Sequence, residues 1–203
     1  MEMTRELAQK VLQTVDAGLV NGIGEPIPGK MCVEAAVCYA MGLPHSDNPK
    51  CVGSSVRRYK IRLNDSRWPT DKDRTEGMRK LSVAQLGSDF IDQLAFAKLV
   101  GLGCNRVVLP IALRIAAARG GKYADELEAA AKICESATDF EAAKAATLAA
   151  REITRKARAY ADADAYADAK KIRLQMLQAV AKVGLDALIE LKSPGCEFLD
   201  LCD

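Results

Sequence analysis

From Lys122 to Lys192 the chain holds no proline and a single glycine, Gly184, and alanine is its commonest residue. Alanine is the best helix former, and the residue that breaks helices most strongly is missing, so this tract is confined to helix. Tyr123 to Ser136 reads as one helix, and Thr138-x-x-Glu141 is the capping-box pattern that opens the next. From there to Leu191 only Gly184 interrupts, which predicts one very long helix or two collinear ones. Within it, Ala157 to Ala169 places alanine at every odd position, with Tyr160, Asp162, Asp164, Tyr166 and Asp168 among the residues between. Alternation is the period of a strand, but alanine and aspartate are poor strand formers, and helix is the better reading. Small side chains let helices approach closely, so the tract suits a bundle or a self-associating hairpin and predicts a homo-oligomer. Asp164 and Asp168, near Lys170, Lys171 and Arg173, read as solvated ion-pair partners. No Glu-x-x-His pair accompanies them, so a di-iron carboxylate centre is unsupported.

Upstream the texture differs. Leu7, Val11, Leu12, Val15 and Leu19 recur at three- and four-residue spacing, a first helix over 4–19 with Thr4 as its cap. The loop from Asn21 to Gly29, rich in glycine and proline, precedes a second helix from about Lys30 to Met41, which Gly42-Leu43-Pro44 stops. Ser54 or Ser55 caps a third, with Val56, Tyr59 and Leu63 on its apolar face. Trp68-Pro69-Thr70 makes a turn, and a fourth helix runs from Asp71 to Leu86. Ser88 caps a fifth over 89–100, closed by Gly101 and Gly103, and a sixth element runs from Cys104 to Ala118, bent or begun at Pro110. The fold expected is all-α: a compact multi-helix part over 1–120, with a basic segment at 50–80, followed over 122–203 by a long alanine-rich helical hairpin and a short tail.

With 203 residues, 49% hydrophobic and 28% charged, the chain can bury a core, and at 5% aromatics that core must be aliphatic. Its net charge of +2 argues against a dedicated DNA-coating protein. The first residues lack the basic-then-apolar pattern of a secretory signal, and no apolar stretch reaches the roughly 18 residues of a bilayer span. The longest greasy run, Val107 to Ala118, contains Pro110 and Arg114. Seven scattered cysteines, an odd number, suit reduced thiols and a cytoplasmic protein without a membrane partner.

Two stretches carry a resemblance. PGKMCVEAAVCYAMGLPHSDNPKCV running into RRYKIRLNDSRW, and MRKLSVAQLGS after it, resemble a poorly characterised family of alanine-rich helical proteins of bacteria and their viruses. The alanine/tyrosine/aspartate tract and the terminal LKSPGCEFLDL are similar to that family too. The resemblance covers most of the chain. Some such relatives are labelled immunity proteins of toxin systems, which implies a setting of microbial or phage conflict but transfers no site residue.

Three kinds of chemistry can be sought in the residues. Cys32, near the start of the second helix and close to Lys30, is placed for a stabilised thiolate. Its only possible imidazole partner, His45, lies past the far end of that helix, about 15–20 Å away at 1.5 Å per residue, which nearly excludes a dyad within one subunit. Cys32, Cys38, His45 and Cys51 have the donor types of a zinc site but not its close spacing, so no metal and no cofactor is expected. The third is an anion site. Between Lys50 and Lys80 ten basic residues face four acidic ones, a local charge of +6 that leaves −4 for the rest of the +2 chain. Guanidinium groups fit phosphate bidentately and an aromatic face can stack a base, so Arg57, Arg58, Tyr59, Arg62 and Trp68, supplemented by Lys30, form the candidate ligand-binding set. The same residues also suit a solvated face with Trp68 filling the core. Lys30 lacks the GxxxxGK[ST] context of a P-loop, so ATP hydrolysis is unsupported. The leading expectation is a non-enzymatic protein that binds a phosphate-bearing ligand, such as a sequestered signalling nucleotide. The alternative is an immunity or antitoxin module meeting an acidic protein, and a third reading is a cysteine-dependent enzyme.

Overall fold

The computed structural model describes residues 3–119, 121–158 and 169–203. Among them are nine α-helices and no β-strand, as the all-α expectation requires. Helix α1 (Arg5–Asp16) is opened by Thr4, whose hydroxyl accepts the Leu7 N–H at 3.2 Å, and it buries Ala8, Val11, Leu12 and Val15. Helix α2 (Val33–Ala40) starts three residues later than the sequence suggests. The backbone before it is held extended, with Met31 bridged to both Leu19 and Gly24, and Cys32 is the cap.

Helix α3 (Ser54–Asn64) is capped by Gly53 rather than by Ser54 or Ser55. Those amides are satisfied from a distance: Gly53 donates to the Ser88 hydroxyl at 3.1 Å and Ser55 to Gln93 Oε1 at 3.0 Å. Helix α4 (Asp71–Ala84) is capped by Thr70, and the chain leaves it through Gly87 at φ 76°, a left-handed conformation that favours glycine. Ser88–Phe90 is only a short 3₁₀ turn. Helix α5 (Gln93–Gly103) begins beyond it, because Asp92 Oδ1 accepts the Leu94 and Ala95 amides and takes the capping role expected of Ser88.

Gly101 and Gly103 do not end α5. A π turn over Cys104–Val108 carries the chain into α6 (Leu109–Ala118), with Pro110 in its first turn. An interior glycine costs a helix about 1 kcal/mol, which is a penalty and not a stop. The π turn shifts the hydrogen-bond register just where proline has no N–H to give. The run Gln93–Ala118 is therefore one helix of 26 residues, long and apolar enough to cross a bilayer by length and composition. This corrects the expectation that no stretch reaches that length.

Helices α7 (Ala124–Glu135), α8 (Phe140–Arg158) and α9 (Ala169–Glu190) follow. Asp139, not Thr138, caps α8, accepting the Ala142 amide at 2.9 Å. The alternating tract falls mostly outside the described residues, including Tyr160, Asp162, Asp164, Tyr166 and Asp168.

The chain divides into two compact units. One comprises Met1–Ala97 with Gly184–Asp203, the other Lys98–Val183, so the change of texture at Gly121 falls inside the second, between α6 and α7. In the first unit α1 packs on α2 and α4, α2 on α3, and a C-terminal 3₁₀ segment (Pro194–Cys202) on α4 and α1. That segment is tied down by hydrogen bonds to main-chain carbonyls. Gly195 donates to the Leu86 carbonyl at 2.7 Å, Ser193 Oγ to that of Ala84 at 2.7 Å, and Arg79 to that of Cys202 at 2.6 Å. In the second unit Leu113, Leu127, Ala130, Ala131, Cys134, Ala146 and Ala150 form an aliphatic core, and Arg114 reaches Glu128 and Glu135 beside it.

Candidate functional site

Helix α3 carries most of the predicted site, and its two sides do different work. Val56 and Leu63 face the core of the first unit, and between them on the same side lies Lys60, fully buried. Tyr59 is half-buried, its ring edge-on to Phe96 at 5.9 Å between centroids and packed against Gly184. Arg58 and Arg62, one turn apart, lie exposed on the opposite side, and Arg67 is exposed just beyond the helix.

The remaining basic residues are largely engaged. Arg57 donates to the Asn48 side chain. Buried Arg74 binds the Asn64 carbonyl at 2.9 Å and pairs with Asp71, while Arg79 holds Asp16 and Lys80 holds Asp203. Lys72 stands 3.8 Å from Glu76. Among the described residues Arg58, Arg62, Arg67 and Lys50 have no such partner.

Trp68 is not placed to stack a base. It is 6% exposed, its indole N–H donates to the Leu63 carbonyl at 2.8 Å, and Gly77 lies against the ring so closely that a Cβ there would stand 2.3 Å from it. The indole's N–H is satisfied by main chain and its body closes the core, so the core-filling alternative describes it. Lys30 is exposed but precedes α2 by a loop, 3.5 Å from Glu25, and not at a helix start. The structure thus leaves Arg58 and Arg62 as an open pair, and turns Arg57, Tyr59 and Trp68 to internal contacts.

Beneath that face is a site the sequence reading passed over. Glu34 of α2 and Lys60 of α3 are both fully buried, with Nζ 3.6 Å from Oε1. Neither carboxylate oxygen nor the ammonium has a hydrogen-bond partner among the described residues. Burial raises Glu34 above the usual carboxylate range, although Lys60 pulls it down, and burial lowers Lys60 to about 8 against the pull of Glu34. Glu34 also lines a cavity of about 20 Å³ together with Cys32, Asp47, Asn64, Asp65 and Gly22, among others. Asn64 shapes one side, donating to the Val20 carbonyl at 2.9 Å and accepting the Val33 amide at 3.3 Å. A signal for the pair was present. Lys60 falls four after Val56 and three before Leu63, within the apolar stripe, and Glu34 is the only charged residue between Met31 and Met41.

Cys32 is 4% exposed, and its sulfur accepts the Ala35 amide at 3.4 Å. Burial pushes its thiol up by more than the cap position lowers it, so this environment does not favour a thiolate. His45 donates from Nε2 to the Gly24 carbonyl at 3.1 Å. The loop after α2 folds back toward the segment that precedes it, which a distance counted along one straight helix could not foresee. Neither side chain bonds the other. Burial also raises Cys38, to about 11, and Cys51. Among the described residues no three His, Cys, Asp or Glu side chains stand close enough to hold a metal. Brief alkylation of the native protein, read by peptide mass, should label the half-buried Cys104 and Cys196 ahead of the buried Cys32, Cys38, Cys51 and Cys134. First labelling at Cys32 would restore the cysteine-enzyme reading.

No protein family matches this chain, no curated protein is similar to it in sequence, and no solved structure matches its fold.

Proposed function

We propose that this chain is a non-enzymatic binding protein that presents Arg58 and Arg62 of α3 to a phosphate-bearing ligand. The observation that carries the reading is the pair itself: two exposed guanidinium groups on one helix face, unpartnered among the described residues, in a segment whose other cations are mostly engaged by carboxylates and carbonyls. Two guanidinium forks a helical turn apart, about 5.4 Å along the axis, suit a ligand with adjacent anionic groups. With Trp68 in the core, recognition rests on the anionic groups and not on stacking of a base. A signalling nucleotide sequestered in microbial or phage conflict is one ligand of this kind.

A second reading, an immunity-type module that meets an acidic protein, is favoured by the openness of the pair, since neither residue lines the cavity beside Glu34. In both readings the compact N-terminal helices carry the binding face, and the alanine-rich C-terminal hairpin serves self-association. Native mass spectrometry of the purified protein reads subunit number and any retained ligand together. With pyrophosphate as the probe, Arg58→Glu with Arg62→Glu should weaken binding at least tenfold at low salt, each charge-assisted bond being worth about 1.5–3 kcal/mol. Undiminished binding in the double variant sinks the phosphate reading. Capture of an acidic protein by the wild type but not by the variant would favour the second.

A further inference from the structure

A carboxylate taken out of water needs hydrogen-bond donors, and Glu34 has none among the described residues. The cation nearest to it among the described residues, Lys60 Nζ at 3.6 Å from Oε1, is beyond hydrogen-bond reach and lacks an acceptor of its own. Beside Glu34 lies the cavity of about 20 Å³, which is room for a single water molecule and has polar walls to hold one. Asp47, on the same cavity, is only half-buried and so keeps contact with solvent.

We propose that one water molecule occupies this cavity, donates to Glu34 and links it to Asp47, making Glu34 and Lys60 a proton-exchanging joint between α2 and α3 whose grip depends on pH. The charged and titratable groups facing the pair come from several elements. Lys60 and Arg57 belong to α3, Asp47 and Cys51 to the segment between α2 and α3, and Cys32 and Cys38 adjoin Glu34 on α2 itself. Asp65, just past α3, lines the same cavity, Arg74 of α4 is engaged by Asp71 and the Asn64 carbonyl, and the buried face of α1 holds no titratable side chain.

The direction of the pH response follows from burial. Lys60, near 8 in the folded chain against 10.5 when free, binds fewer protons folded than unfolded between those values. Raising the pH through that window therefore favours the folded state. Glu34, raised by burial, favours the folded state as the pH falls toward the ordinary carboxylate range. Lys60 therefore adds to stability as the pH rises from about 8 toward 10.5, and Glu34 as the pH falls toward the ordinary carboxylate range. This behaviour is opposite to that of a surface salt bridge and does not depend on what Arg58 and Arg62 bind.

Three measurements on the full chain decide it. In wild-type protein carrying ¹³C-labelled lysine, one Cε resonance should titrate near pH 8, apart from the others, and be missing in Lys60→Met. A water cross-peak should reach the Val33 amide or the Asn64 side-chain amide at the cavity wall. Between pH 8 and 10.5 the folding equilibrium of the wild type should gain on that of Lys60→Met by on the order of a hundredfold. Lysines that all titrate together, or no water at the cavity, overturn the proposal. The wild-type spectra give that answer even if the substituted chain does not fold.

Discussion

Lys60→Met is expected to lower the stability of the protein by about 3–5 kcal/mol at neutral pH, because it takes from the buried Glu34 side chain the cation nearest to it among the described residues. Replacing both partners, Glu34→Leu with Lys60→Met, is expected to restore that loss and to exceed the wild type by about 1–4 kcal/mol, since the desolvation of two ions disappears together with their attraction. Urea unfolding of the three proteins measures the cycle. A single substitution that costs under about 1 kcal/mol would mean that the pair is open to bulk solvent and not sealed between α2 and α3. The asymmetry is the informative part: strong single losses with a recovered double separate a coupled charge pair from two independent packing defects.

Trp68→Ala carries the second large effect, a loss of about 3–5 kcal/mol. The indole is almost wholly buried, ties the end of α3 through the Leu63 carbonyl and packs on Gly77 of α4, so its removal opens a cavity and frees a carbonyl at once. As it is the chain's only tryptophan, its fluorescence reports the site directly. Emission should be that of a shielded indole in the native protein and shift red on unfolding. Trp68→Phe, milder in volume, should fold and keep the affinity of the arginine pair for pyrophosphate. Loss of binding in that variant, with stability retained, would return Trp68 to the ligand site.

Most of the helices were legible because apolar spacing and caps are local properties. Thr4 and the α1 stripe act as the sequence pattern predicts, and α4 starts at Asp71 as expected. The local pattern misleads where a distant residue supplies what it lacks. Ser88 and Gln93 hold the start of α3, so neither Ser54 nor Ser55 has to cap it. Glycine at 101 and 103 looked like punctuation, yet both positions are helical, and their smallness admits Phe140 and Val183 at close range. The site was legible only by half. Local charge density marks α3 as basic, but it weighs Lys60 and Arg58 alike, although one is sealed in the core and the other faces water. Only tertiary packing separates them, and only packing brings Glu34 to Lys60.

The C-terminal segment that docks on α1 and α4 also dictates an order of events. The first unit is assembled from two stretches far apart in sequence, Met1–Ala97 and Gly184–Asp203, whereas Lys98–Val183 is continuous. A ribosome delivers the whole of the second unit before it delivers Ser193 and Gly195, whose bonds to Ala84 and Leu86 close the first. The helices made first are thus the last to be completed. Through the intervening synthesis α4 and Leu86 wait with the main-chain acceptors that the C-terminal segment will cover still open.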